Sequence, residues 1–176
     1  TGVSLALFDN ISPIFITAII EADGAGLQKS ANGESFLDTY LSEKAQAQKK
    51  KLVGIETVDE QIEALNVLTY KEQADLLVDG IHDLEKGEDA GGDMVKYYLQ
   101  QNLDSIAAMD ATADMPEKLY TALVTDRNKR MAERIGQMAQ KQSTFAAVGA
   151  LHLPGTGGVI ALLRKIGYSV EAVKLD

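Results

Sequence analysis

Apolar residues recur along this chain at two spacings, one helical and one extended, and turn-forming residues separate the segments. Ser12 followed by Pro13 predicts a helix start, because a serine oxygen can accept a free backbone N–H and proline fits the first helical position. Ile14, Phe15, Ala18 and Ile19 would be its buried stripe. Residues 24–33 are rich in Gly, Ser and Asn and read as a connection. Ser35-x-x-Asp38 then resembles a capping box opening a helix through about Lys49, with Phe36, Leu37, Tyr40 and Leu41 as its apolar face. Thr57-x-x-Glu60 and Thr69-x-x-Glu72 repeat the device, and the second predicts a helix through about Leu84 carrying Leu77, Ile81 and Leu84. Residues 86–92 (KGEDAGG) read as a loop. From Asp93 to Gln142 the pattern is helical, with breaks near 110–115 and at Thr125, and a restart at Pro116. A last helix, Gly157 to Ile166, would be closed by Gly167 in the left-handed cap position.

Three short runs break this rhythm. Lys51 to Glu56, Thr144 to Ala150 and Tyr168 to Val173 are β-branched or alternating and predict strands. Together with the helices they predict an α/β (α+β) fold, a small mixed sheet with a large helical layer, in a single domain over 1–176. Glu56 would then sit at the carboxyl end of a strand, where open α/β sheets bind ligands.

Composition narrows the class. An apolar share of 45% with 24% charged residues is that of a folded chain, away from the disordered regime. The 17 basic and 26 acidic residues leave a net charge of −9, which repels phosphate backbones and argues against nucleic acid as a partner. With 0 cysteines there is no disulfide, thiolate nucleophile or Cys-ligated zinc. The most apolar stretch, 11–20, covers about ten residues where a membrane span needs about 20, so no transmembrane segment is expected.

The stretch FAAVGALHLPGTGGVIALLRKIGYSVEAV, Phe145 to Val173, resembles the second Gly-x-x-His motif of the TraB/GumN family, with its His-x-Pro-Gly turn and glycine-started helix. LVGIETVDEQIEAL, Leu52 to Leu65, is similar to the family's Gly-x-Glu-Thr segment, and TDRNKRMAERI, Thr125 to Ile135, to its Arg-Asn helix. SPIFITAII resembles the helix that precedes them, so the likeness spans nearly all of the chain. The family carries two Gly-x-x-His motifs with an acidic residue and an arginine, and its Tiki branch is described as metal-dependent proteases. Here only Gly149 to His152 matches. His82, in GIHDLE, lacks a glycine three residues before it, and the chain starts Thr1-Gly2, so an N-terminal part with the first motif is expected to be missing.

The resemblance implies an EreA-, ChaN- and Tiki-like fold and a metal-dependent, peptidase-like hydrolase with half of its site in this chain. It implies a divalent ion, Mn, Co or Zn, held by His152 and Glu56, with Glu56 as ligand or general base and Arg127 orienting a peptide or small-molecule substrate. An exported or periplasmic location is implied in the same way. A non-catalytic peptide- or haem-binding protein of the same superfamily is the alternative, and a homo-oligomer joined through an exposed sheet edge is a further expectation.

Each residue also has a plainer explanation. His152 could be a capping or core histidine, and Glu56 a carboxylate favoured by the helix start that follows it. Arg127 could simply form an ion pair with the neighbours of Asp126 or with Glu56, and Asn128 and Thr57 read most simply as caps. Gly149 and Gly155 suit either close ligand approach or tight packing. His82 and Asp83 are neighbours on a helix and point about 100° apart, so they form no relay. The GTGG run lacks the companions of a phosphate loop, and no serine occupies a Gly-x-Ser-x-Gly elbow.

Overall fold

The computed structural model describes residues 11–24, 37–86, 92–112 and 115–173. Helices build it: α1 (Pro13–Gly24), α2 (Leu37–Ala47), α3 (Val58–Leu65), α4 (Tyr70–Lys86), α5 (Gly92–Leu99), α6 (Leu103–Thr112), α7 (Glu117–Tyr120), α8 (Asp126–Ala139) and α9 (Val159–Lys165). A π-helical turn, Thr121–Thr125, joins α7 to α8, and a short 3-10 turn spans Ala150–His152.

The start signals act as capping chemistry dictates. Thr57 accepts from the Glu60 N–H at 3.2 Å while the Glu60 carboxylate accepts from the Thr57 N–H at 2.9 Å, satisfying two orphan donors at the start of α3. Thr69 and Glu72 do the same for α4, with the Thr69 N–H donating to Glu72 Oε2 at 2.7 Å. Gly167 closes α9 at φ +99°. Helix α1 does begin at Pro13, but Ser12 Oγ finds no partner among the described residues. Instead Gln73 of α4 accepts from the Ile14 N–H at 3.4 Å and donates to the Leu68 carbonyl at 3.0 Å. The Ser35 box lies outside the described residues. One break was unforeseen: Gln101, at φ 55°, parts α5 from α6.

The expected mixed sheet is absent. Among the described residues there is no strand, and 51–54, 143–149 and 168–173 run as irregular backbone without a ladder. The described fold is helical. Alternation and β-branching favour an extended backbone, but a strand exists only when a neighbour completes its hydrogen bonds, and that partner is not written in the segment itself. Leu52, Val53, Phe145 and Val173 consequently stand exposed. With no sheet there is no sheet edge, so the expected self-association through one has no seat in these residues.

Two apolar clusters hold the helices. In one, Ile14, Leu68 and Leu119 pack with Phe15, Leu65, Leu76 and Leu123, fastening α1 to α4 and both to the π-turn region. In the other, Met131, Ala132 and Val159 pack with Ile55, Ile135, Val148, Leu162 and Leu163, fixing α9 on α8 and drawing in the segments before α3 and before the 3-10 turn. The other predicted stripes are thinner than their spacing suggests: Ile19 and Leu84 are about half exposed, and α2 buries no residue. The second cluster positions the candidate residues, because Glu56 follows Ile55 and His152 lies between Val148 and Val159.

Candidate functional site

Helix α8 organises the site. Arg127, Arg130 and Arg134 are spaced by three and four residues, which puts them on one side of a helix. All three reach the bend that carries Glu56 and the start of α3. Arg127 Nε donates to both Glu56 oxygens at 3.0 and 3.1 Å, and its Nη2 donates to Glu56 Oε2 at 2.8 Å. Arg130 Nη2 approaches Glu56 Oε1 at 3.6 Å. Arg134 Nη1 donates to the Ile55 carbonyl at 2.7 Å, and its two Nη atoms grip the Glu60 carboxylate at 2.8 and 2.6 Å.

Burial sharpens this arrangement. The Glu56 side chain is only 4% exposed, against 21% for Arg127, so the carboxylate is held by guanidinium groups rather than by water. At Glu60, Arg134 and the Thr57 N–H together hold the carboxyl at about 2, well below the usual carboxylate range. Arg134 is correspondingly pushed up by its bond to Glu60. The plainer explanation of Arg127, an ion pair with Glu56, is what the geometry contains.

His152 ends the 3-10 turn instead of following a strand. Its Nδ1 lies 2.7 Å from Asn128 Oδ1, and Asn128, 2% exposed, also donates from Nδ2 to the Gly157 carbonyl at 2.9 Å. Arg127 and Asn128 are consecutive, so their side chains leave α8 about 100° apart: one takes Glu56, the other His152. The expected residues therefore gather around the first turn of α8 as two separate pairs. His82 is exposed on α4, as expected.

The turn after His152 is shaped by glycine. Gly155 adopts φ +80°, which suits the turn after Pro154. At Gly158 a Cβ would lie 2.0 Å from the Pro154 carbonyl oxygen and 2.4 Å from that of Leu153, so only glycine fits. Gly149 meets nothing closer than His152 Cδ2, at 3.6 Å from a built Cβ. A cleft of about 200 Å³ opens beside Asn128, between Val124, Leu151 and Gly157. Another, of about 270 Å³, runs along Glu60, Glu63 and Arg130.

Sequence reasoning passed over Arg130, Arg134 and Gly158 and kept Asn128 as a weaker candidate, most simply read as a cap. The arginine spacing was a readable signal. The closeness of Gly158 to two carbonyls was not, since it depends on how the turn folds back.

The same residues bear on a metal. Among the described residues no three His, Asp or Glu side chains gather so as to hold an ion. Glu56, the second expected ligand, has both oxygens engaged by Arg127. The described residues alone therefore do not fit a bound ion.

The chain is similar to proteins named metalloproteases. It is 26% identical to Metalloprotease TIKI2 of Danio rerio over 90% of this chain and 35% of that protein. It is 26% identical to the Metalloprotease TIKI homolog of Nematostella vectensis over 95% of this chain and 41% of that one. Metalloprotease TIKI1 of Danio rerio is 29% identical over 90% of this chain and 37% of its own length. The chain thus spans little more than a third of the curated relatives it matches. No solved structure matches it. A family model matches residues 1–172, including both α8 and the Gly149 to His152 turn, and the chain belongs to the TraB/PrgY/gumN family.

Proposed function

We propose that this chain belongs to a metal-dependent hydrolase of the peptidase type. The observation that carries the reading is the docking of the His152 imidazole on Asn128, next in sequence to the Arg127 and Glu56 pair. The names of the TIKI relatives add the metal and the peptide substrate. In this reading His152 is the chain's candidate ligand for Mn, Co or Zn, because imidazole nitrogen suits such ions.

Arg127 orients the substrate. Its bonds to Glu56 and to the Leu123 carbonyl, at 3.3 Å, leave one N–H on each Nη for a substrate carboxylate or a developing oxyanion. Glu56 holds that guanidinium in place, and a ligand or general-base role requires its carboxylate first to leave Arg127. The cleft lined by Asn128, the hydrogen-bond partner of His152, gives a peptide side chain room.

The test is peptide hydrolysis by the full-length protein with Mn²⁺, Co²⁺ or Zn²⁺ and with a chelator. Chelation and His152→Ala should each lower turnover at least about 100-fold. Hydrolysis indifferent to both overturns the reading. The engaged state of Glu56 favours a second one, a non-catalytic peptide-binding protein. Tight peptide binding without turnover, retained in Glu56→Gln, selects it.

A further inference from the structure

Three guanidinium groups of α8 face two carboxylates. Arg127 grips Glu56 and Arg134 grips Glu60, each through two or more hydrogen bonds. Arg130 is left over. Its side chain makes no hydrogen bond: Nη2 comes no closer to Glu56 Oε1 than 3.6 Å, beyond bonding range, and the buried Nε has no acceptor. One positive charge is therefore in excess, on a side chain that keeps its donors unused. A buried donor left unpaired costs stability, and a neutral side chain would avoid that cost.

Arg130 lines the cleft of about 270 Å³ together with Glu60, Glu63, Asp126 and the apolar Ala64, Val67 and Ala122. Two of the three acids are already engaged, Glu60 by Arg134 and the Thr57 N–H, Asp126 by Lys129 at 2.9 Å. Glu63 is exposed on α3, and its carboxylate has neither an ion pair nor a hydrogen bond among the described residues. The cleft thus offers one open cation, one open carboxylate and an aliphatic wall.

We propose that this cleft binds a free aliphatic α-amino acid, whose carboxylate meets Arg130, whose ammonium meets Glu63 and whose side chain lies against Ala64, Val67 and Ala122. The guanidinium fork matches a carboxylate in shape and charge. A phosphate would meet three acids around a single guanidinium and be repelled, whereas a zwitterion brings its own cation for Glu63. Drug-sized ligands occupy roughly 300–1,000 Å³, so a cleft of about 270 Å³ suits a smaller molecule. The site goes beyond the hydrolase reading and does not need it, since His152 takes no part.

The experiment is ¹H–¹⁵N NMR on the labelled 176-residue chain, following arginine Nε–H and backbone signals as L-leucine is added to tens of millimolar. Arg130→Met identifies the Arg130 signal. Leucine should move that signal and those of Ala64 and Val67 along one saturating curve. Leucinamide lacks the carboxylate and N-acetyl-leucine the ammonium, so each should bind at least about tenfold more weakly. Inorganic phosphate should not compete. Arg130→Met should abolish the leucine shifts, and Glu63→Gln should weaken leucine about tenfold while leaving N-acetyl-leucine unchanged. Loss of packing would not separate the two ligands in that way. Absence of saturation, equal binding of leucine and N-acetyl-leucine, or tighter binding of phosphate overturns the proposal, as does full leucine binding by a folded Arg130→Met chain. If Arg130→Met does not fold, Glu63→Gln, at an exposed position, decides. Binding is read without turnover, so an inactive protein would sink the hydrolase reading and leave this site to be judged separately.

Discussion

Replacing Glu56 by glutamine separates a structural anchor from a carboxylate kept for chemistry. The substitution preserves shape and one accepting oxygen but removes the charge that Arg127 and Arg130 share. Removing one partner of a buried ion pair costs about 3–5 kcal/mol, because the other charge stays behind uncompensated. Glu56, at 4% exposure, meets that condition fully, whereas Arg127 and Arg130, at 21% and 33%, keep some water. The remaining amide oxygen still accepts one bond from Arg127. The expected loss is therefore about 2–3 kcal/mol, and about 3–4 kcal/mol for Glu56→Ala, which also leaves a void. Urea unfolding should show a lower midpoint at an unchanged slope. Arg127→Met in the Glu56→Gln background should cost less than it does alone, with a coupling of about 1–3 kcal/mol. A Glu56→Gln chain within about 0.5 kcal/mol of wild type, or more stable, would refute the anchor, because neutralising a carboxylate kept for chemistry is often neutral or stabilising.

Three further outcomes follow from the geometry. Glu60 and Glu72 are each held at about 2, by Arg134 with Thr57 and by Lys118 with Thr69. Because the folded values lie below the unfolded ones, their contribution is fully present above about pH 4.5 and is lost as pH falls toward 2. The melting temperature should fall across that window, and Glu60→Gln with Glu72→Gln should flatten the fall; a double variant with the wild-type slope there removes the explanation. Gly158→Ala should destabilise by about 3 kcal/mol in chemical denaturation, since its Cβ would strike backbone, while Gly157→Ala, with nothing within 4 Å, should stay within about 0.5 kcal/mol. Gln73→Leu should cost about 1–2 kcal/mol in the same assay by stranding the Ile14 N–H and the Leu68 carbonyl, and an unchanged stability would show that α1 needs no cap from α4.

What could be read from the sequence divides by range. Thr57 with Glu60, Thr69 with Glu72 and Gly167 each state a local condition that a few neighbouring residues satisfy, and all three act as expected, whereas the start of α1 at Pro13 is capped by the distant Gln73 and not by Ser12. The sheet was misread because its condition is not local. Thr144 to Ala150 has the composition of a strand, yet Phe145 is 81% exposed and its backbone joins no ladder. Gln101 escaped notice for a different reason: glutamine is an ordinary helix former, and only its left-handed φ marks the break.

The site follows the same division. Arg127 and Asn128 resemble a family motif as a pair, but their meaning lies in partners far along the chain, Glu56 on one side and His152 with Gly157 on the other. One turn of α8 therefore couples the Gly-x-Glu-Thr segment to the Gly-x-x-His turn. Moving α8 against either segment would have to break a buried pair on that side, so the two halves of the candidate site are kept in fixed relation by the helix between them. On that account Met131→Ala, which loosens α8 in the cluster beneath both pairs, should disturb the Glu56 and His152 environments together. Glu56→Gln should disturb its own pair first and leave the His152 environment as in the wild type. Changed His152 signals in Glu56→Gln with an intact α8 would mean that the pairs are linked by something other than the helix.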